Sequence, residues 1–353
     1  MNIRDLPLGE VRPAHRFDEG RLHAWLAQRI AGFGDDMRVL QFAGGASNPT
    51  FLLTTVADGG ERHFVLRKKP PGVLLPSAHQ VDREYRAMRA LAGSGVPVPV
   101  ARAYCDDPAV IGTEFYVMDF LEGRVFRDAT LPDQTPEERA AIYDSLNDAL
   151  ARLHAVDYNA VGLGDFGRAG GFFGRQLKRW STQYRKAQTE DIPAMERLLE
   201  ELPARLPADD VSTIAHGDYR LGNVMFHPTE PRVIAVLDWE LATIGHPLAD
   251  LGYNCFMWHT ESAELGSLRG VDFAASGIPT EQQYVEAYCR RTGRDGIADW
   301  NFYLAFAAFR LAAITQGVYR RALDGNISTE RGELVNGAGA MAELALRLLH
   351  RPA

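Results

Sequence analysis

The sequence predicts an α+β fold: a small antiparallel-sheet N-terminal unit with one helix, followed by a larger, mainly helical C-terminal unit. Three observations carry this. Two alternating apolar runs flank the turn "ADGG" near residue 58, the pattern of a β-hairpin. After Gly123 the apolar spacing changes from two residues to three and four. The length, 353 residues, suits about two domains. Strands collected first and helices second separate into two parts, assigned to residues 1–120 and 121–353.

The elements follow in order. "VLQFAGGASNPTFLLTTVADGGERHFVLRKKPPG" supplies the first strands, with a Gly-rich turn in "AGGASN". "HQVDREYRAMRALAGSG" places Val81, Tyr85, Met88 and Leu91 at helical spacing and stops at Gly93. Short strands follow, of which "FYVMDF" is the most apolar. "PEERAAIYDSLNDALARLHAVD" opens on Pro136 with Glu137 and Glu138 in its first turn, the charge order a helix start favours. "GRQLKRWSTQYRKAQ" and the acidic "EDIPAMERLLEELPARL" read as two more helices, and residues 280–350 as several.

Composition narrows the class. Hydrophobic residues at 46% and charged residues at 24% describe a globular chain with a large core. A net charge of −8 argues against a general nucleic-acid binder. Cys105, Cys255 and Cys289 form no metal or disulfide spacing and are expected to be reduced, buried thiols of a cytoplasmic protein. The charged N-terminus lacks the apolar core of a signal peptide. The longest apolar run, Phe302 to Phe309, stops at Arg310, too short to span a bilayer, and reads as a buried helix. Neither membrane insertion nor export is expected.

Chemistry concentrates in "HGDYRLGNVMF" (His216 to Phe226) and "VIAVLDWELATIGHP" (Val233 to Pro247). Asp218 can orient a hydroxyl or accept its proton. Asn223 offers a carbonyl and Asp238, at the end of a buried strand, a carboxylate, both hard oxygens of the kind Mg²⁺ prefers. Metal, a positioning carboxylate and little covalent chemistry are what phosphoryl transfer needs. The plainer alternative is that all three cap turns. Order and spacing together favour the metal-dependent reading.

Upstream, Gly44, Gly45, Ala46, Ser47 and Asn48 could present backbone and side-chain donors to phosphate, or simply turn a hairpin. Alternation in "FVLRK" puts Val65 and Arg67 on one face, so that Val65 would meet a base and Arg67 its phosphates. Glu84, in the next helix, is the natural partner of Arg67. Lys68 and Lys69 are rival cations.

These residues resemble the aminoglycoside phosphotransferase and choline kinase branch of the protein-kinase-like superfamily. "HGDYRLGN" is similar to its catalytic loop, "VLDWE" to its metal segment and "GHPLADLG" to the stretch that follows. The resemblance covers roughly residues 40 to 320. It implies a bilobal protein-kinase-like fold, ATP and Mg²⁺ as cofactors and Asp218 as the catalytic residue. Asn223 and Asp238 become metal ligands, and His216, Glu240 and Asp250 support them. His154, in "LARLHAVD", also fits. The hinge becomes Val117 to Gly123, with Met118, Asp119 and Phe120 beside the adenine. Arginine stands at position 67 where many relatives carry lysine, which is not a neutral exchange.

A closer resemblance lies in "VLRKKPPGVLLPSAHQVDREYRAM", "RQLKRWSTQY" and "FRLAAITQGVYRR", similar to the kinase-like domain fused to animal acyl-CoA dehydrogenases and its free-standing bacterial relatives. It implies phosphorylation of a hydroxyacyl-CoA, of the 4-hydroxyacyl type, during fatty-acid breakdown, alongside a separate acyl-CoA dehydrogenase. Two kinase lobes fill the 353 residues, leaving no room among them for a flavin-dependent domain.

One local feature bears on the acceptor. Between Gly167 and Thr189 lie six basic residues and no acid, among them Arg175 and Arg179 one turn apart. With Gln176, Trp180 and Tyr184 they offer an anion site beside an apolar path, suited to an acyl-CoA-like small molecule. A polycationic aminoglycoside would instead meet carboxylates. The plainer alternative is a solvated basic face balanced by the following acidic helix. Arg310 and Gln316 are further substrate candidates, although Arg310 could equally be a buried structural pair; His79 belongs to the same set. An aminoglycoside or amino-alcohol kinase, and a non-catalytic pseudokinase, remain the competing functions.

Overall fold

The alternating runs of the N-terminal third form one antiparallel sheet. The computed structural model describes residues 6–43, 48–57, 59–70, 80–262, 266–325 and 335–352. Strands β1 (Leu8–Gly9), β2 (Asp36–Phe42), β3 (Thr50–Ala57), β4 (Gly60–Lys68), β5 (Ala101–Cys105) and β6 (Phe115–Asp119) lie in the order β1-β2-β3-β4-β6-β5. The expected hairpin joins β3 to β4, paired down to Ala57 and Gly60. Period-two alternation sends Phe51, Leu53, Phe64, Leu66, Phe115 and Val117 to one face, where they pack with Leu22 and Leu26. Each such side chain, fully buried, contributes about 1.5–3 kcal/mol.

Leu22 and Leu26 belong to α1 (Glu19–Ala27), N-capped by Asp18, whose carboxylate accepts from Arg21 N at 2.9 Å. The sequence yielded one helix here, α2 (Val81–Leu91); α1 and a single turn, α3 (Pro108–Ile111), are additional. With only two buried residues, α1 has too narrow an apolar stripe to stand out. Helix α2 buries Val81, Glu84, Met88 and Leu91, so a carboxylate occupies a core position of its stripe.

The chain divides into two compact units: Met1–Val125 with Asn223–Ala242, and Phe126–Gly222 with Thr243–Ala353. This differs from a division at residue 120, because the hairpin of residues 223–242 groups with the first unit. That hairpin, β8 (Val224–Phe226) and β9 (Val233–Val236), is tied to Arg124 by two backbone bonds of 2.8 Å through Phe226, and Val236 N donates to Pro97 O at 2.8 Å. Gly123 permits the approach: a Cβ there would lie 2.6 Å from the Phe226 carbonyl oxygen.

The second unit holds α4 (Pro136–Ala155), α5 (Phe172–Ala187), α6 (Pro193–Ala204), α7 (Pro247–Asn254), α8 (Phe273–Ser276), α9 (Glu281–Thr292), α10 (Trp300–Leu323) and α11 (Ala338–Leu349). A two-stranded ladder of β7 (Thr213–Ala215) and β10 (Thr243–Gly245) completes it. Helix α4 opens on a full capping box between Thr135 and Glu138. Helix α10 buries Phe302 to Phe309 as expected, but it runs on through Arg310. Its 24 residues are long and apolar enough to cross a membrane, and 67% of its apolar 18-residue window is buried inside the protein. The length limit inferred from Arg310 therefore fails, while the reading as a core helix holds.

Candidate active site

In the first unit the chemistry gathers around one guanidinium. Pairing with Thr50 on β3 and Tyr116 on β6 fixes the position of Arg67 on β4. Its Nη1 donates to Glu84 Oε2 at 2.7 Å and lies 3.4 Å from Asp238 Oδ1. Glu84 is 1% exposed and also accepts from Tyr116 Oη at 2.9 Å and Asn48 Nδ2 at 3.0 Å. Burial, partly offset by Arg67, pushes the Glu84 carboxyl up to about 7. Burial opposes the charge on Arg67, but the acidic groups around it, Glu240 among them, raise its pKa.

The rival cations are otherwise engaged. Lys68 faces the other side of the sheet, with its ammonium 5.6 Å from the Phe17 ring centroid and its pKa lowered by burial. Lys69 pairs with Glu114 at 2.8 Å.

Asp238 is held by an unusual backbone. It adopts φ +65°, a left-handed conformation that a non-glycine residue rarely takes, and its side chain makes no capping hydrogen bond. The capping alternative therefore fails for this residue. Its carboxylate is 35% exposed, and the neighbouring Leu237 N donates to Asn223 O at 2.8 Å. Among the described residues no three His, Cys, Asp or Glu side chains cluster as a metal cage. One carboxylate and one amide suit Mg²⁺, which draws most of its ligands from phosphate and water. The buried Nε of Arg67 has no hydrogen-bond partner. An orphaned cationic donor beside that carboxylate fits a phosphate-bearing ligand.

Other nucleotide candidates are placed as follows. Val65 pairs across the sheet with Leu52 and Met118. Asn48 is buried and uses its amide on Glu84, so it braces the pair instead of lining the turn. Asp119 is clamped by Arg102 at 2.6 and 2.7 Å. The N–H groups of Asp119 and Phe120 are committed to Val100 and His63 carbonyls. Gly44, Gly45, Ala46, Ser47 and His79 lie outside the described residues.

In the second unit the loop before Gly222 is pinned from several sides. Asp250, in the first turn of α7, accepts from His216 N at 2.6 Å and Gly217 N at 2.8 Å. Burial opposes its charge, but His154, 3.4 Å away, and these donors hold it below the ordinary value. His154 in turn is fixed by Tyr288 Oη at 2.7 Å. Gly217 sits at φ +83°, and its carbonyl accepts from Arg310. Tyr219 Oη donates to Leu146 O at 2.8 Å. Asp218 emerges from this frame with a side chain 24% exposed. It accepts from the Tyr253 hydroxyl and lies 3.6 Å from Arg220 Nε. Burial first, and then Asp218, raise the Tyr253 pKa, so that residue is a neutral donor.

The substrate candidates separate. Arg175 spends its guanidinium on the Gly170 and Arg168 carbonyls, holding the start of α5. Tyr184 is fully buried, and so is Gln316, which bonds Ala187 O, Thr189 and Asn336. These three are structural. Arg185 pairs with Glu196 of the acidic helix, as the plainer reading of the basic face anticipated. Lys178 and Arg179 remain exposed on α5. Arg179 lies 5.4 Å from the Trp180 ring centroid, and Trp180 Nε1 donates to Gln176 at 3.1 Å. Sequence reasoning missed Tyr116, Tyr253 and Arg220. Only Tyr253 carried a signal, three residues beyond Asp250.

The second unit carries an aspartate on a rigid backbone frame and the first a cation and carboxylate set suited to phosphate; the class of protein is a small-molecule phosphotransferase of kinase-like fold. Residues 38–300 match the phosphotransferase enzyme family (APH), and the chain belongs to it. It is 48% identical to a provisionally named aminoglycoside phosphotransferase of known structure from Ralstonia eutropha JMP134, with a TM-score of 0.86 over 95% of this chain and 98% of that one. It is 45% identical to human acyl-CoA dehydrogenase family member 11 over 98% of this chain. That match covers 44% of the human protein, so the chain spans less than half the length of this relative. A thermostable aminoglycoside phosphotransferase solved with AMP-PNP and hygromycin B shares the fold, at 16% identity and a TM-score of 0.56 over 93% of this chain and 97% of that one.

Proposed function

We propose that the protein transfers the γ-phosphoryl group of ATP to the hydroxyl of an acyl-CoA-type acceptor, of the 4-hydroxyacyl class, with Mg²⁺. The observation that carries the transfer is Asp218, a half-buried carboxylate on a loop whose preceding peptide groups are tied to Asp250 and Arg310. Asp218 orients the acceptor hydroxyl and receives its proton as the oxygen bonds to phosphorus and the bridging P–O bond of ATP breaks. Arg67, held by Glu84, steadies the phosphates. Asn223 and Asp238 hold Mg²⁺, which when bound neutralises phosphate charge. Catalysis then rests on positioning.

The acceptor assignment rests on exposed Lys178 and Arg179 beside half-exposed Trp180, a surface that favours a polyanion over a polycation. The extended likeness to the acyl-CoA dehydrogenase relatives supports it, and we propose a separate acyl-CoA dehydrogenase as the protein's partner. We also propose a cytoplasmic location, resting on three free, buried cysteines.

The test is ADP release with ATP and Mg²⁺ on a 4-hydroxyacyl-CoA ester, the free hydroxy acid and kanamycin. Turnover confined to the ester is expected. Turnover on kanamycin alone would keep the transferase and remove the acceptor. Bound nucleotide that is never consumed would make the chain a binding module.

A further inference from the structure

Arg310 follows the most apolar run of α10 and is only partly buried there. Among the described residues no carboxylate lies within 4.0 Å of it. Its guanidinium donates to the Gly217 carbonyl, one residue before Asp218. It also lies 5.4 Å from the Tyr253 ring centroid and 5.8 Å from that of Trp180. Partly buried, the guanidinium is engaged by a carbonyl dipole and two π faces.

Gly217 is the key. Its N–H is bound by Asp250 and its carbonyl by Arg310, so both of its backbone polar groups are fixed. Because Gly217 sits in the left-handed region, a small turn there re-aims the next side chain. Tyr253 adds a second link, stacking near Arg310 while its hydroxyl donates to Asp218. On the remaining side Trp180 belongs to α5, beside exposed Arg179. The contacts therefore run Arg179, Trp180, Arg310, Tyr253, Asp218, alternating cation and ring until they reach the carboxylate.

We propose that Arg310 is a positioning residue. It sets the orientation of Asp218 through Gly217 and Tyr253, and through Trp180 it makes that orientation respond to an acceptor engaging α5. This rests on Asp218 being the group that orients the acceptor hydroxyl. Lysine cannot replace the arginine fully, because an ammonium lacks the flat fork that lies along two rings while donating to a carbonyl.

The experiment compares Arg310→Met, Arg310→Lys, Trp180→Ala and Trp180→Phe in the full chain. It measures acceptor turnover, background ATP hydrolysis by water, affinity for a fluorescent ADP and amide hydrogen exchange. Arg310→Met is expected to lower kcat for acceptor and water alike by on the order of 10- to 100-fold, with ADP affinity unchanged. Exchange should quicken at residues 216–219 while α10 stays protected. Arg310→Lys falls between, and Trp180→Phe recovers what Trp180→Ala loses. Unchanged kcat with unchanged loop exchange overturns the proposal. So does a loss of kcat accompanied by equal deprotection of α10, which makes Arg310 a packing residue only. A parent protein that hydrolyses ATP but phosphorylates no hydroxyacyl-CoA refutes the acceptor assignment alone. Exchange at 216–219 still decides the role of Arg310 in that case.

Discussion

Glu84 shows how one buried carboxylate shapes its neighbourhood. Three donors, Arg67, Tyr116 and Asn48, converge on two oxygens that are almost fully sealed from water. Removing the cation leaves that charge uncompensated, which in buried pairs costs about 3–5 kcal/mol. Because the Glu84 carboxyl already sits at about 7, protonation relieves much of the cost in acid. Arg67→Met should therefore be destabilised more at pH 8 than at pH 6, and adding Glu84→Gln should restore most of the loss. Denaturant midpoints at the two pH values check this; an equal shift at both would contradict the pair's coupling. Asp218→Asn keeps the shape of the loop and its backbone bonds. It should lower kcat by about 10²- to 10⁴-fold while ADP binds as before. Parent-like turnover in that variant would remove Asp218 from the reaction.

Among the elements, α7 carries the most consequence for its length. Its eight residues supply Asp250 to the loop backbone and Tyr253 to Asp218. Helix α7 can meet α10 closely only because of Gly252, where a Cβ would stand 2.8 Å from the Tyr303 carbonyl oxygen. Gly252→Ala should cost about 1–3 kcal/mol by overpacking. Thermal denaturation reads the cost, and a neutral result would mean that α10 yields easily.

The same helix marks the limit of what sequence can tell. "GHPLADLG" was legible because Asp250 belongs to a local motif, and Arg67 because strand alternation is local. Tyr253 stands three residues beyond Asp250, but its partner was not legible, since its hydroxyl meets a residue 35 positions away. Tyr184 looked like surface at helical spacing beside Arg179, yet it is fully buried. Arg175 looked like a ligand because composition cannot show two loop carbonyls already waiting for it. Periodicity reports which face is apolar; it does not report which polar groups find partners elsewhere in the chain.

Across the whole molecule, pH should act most clearly through His246. Fully buried, it caps α7 by accepting from Leu248 N at 3.2 Å, and its Nε2 has no hydrogen-bond partner. Burial lowers its pKa from 6.5 to about 4, against the pull of Asp209. The unfolded chain binds this proton below about 6.5, and the folded one only near 4. Stability from His246 is thus complete above 6.5 and lost as pH falls through that window, by up to about 3 kcal/mol. Glu84 works in the opposite sense, losing stability as pH rises from 4.5 to about 7. His246→Asn retains a capping side chain without a titrating group. Its urea midpoint should fall less between pH 7 and pH 5 than the parent's, and equal falls would exclude His246 as the source.

The hairpin from Asn223 to Ala242 bears on how the protein is made. The sheet that carries Arg67 leaves the ribosome early, but Asp238 follows it by 171 residues. At about 5–20 residues per second, the first unit waits roughly 5–25 s after residue 125 for its last segment. Throughout that interval Pro97 and Arg124 lack the backbone partners that will cover them. A nascent chain stalled before residue 242 should thus hold an unfinished sheet, open to chaperones and to proteases, however well its first 125 residues are synthesised.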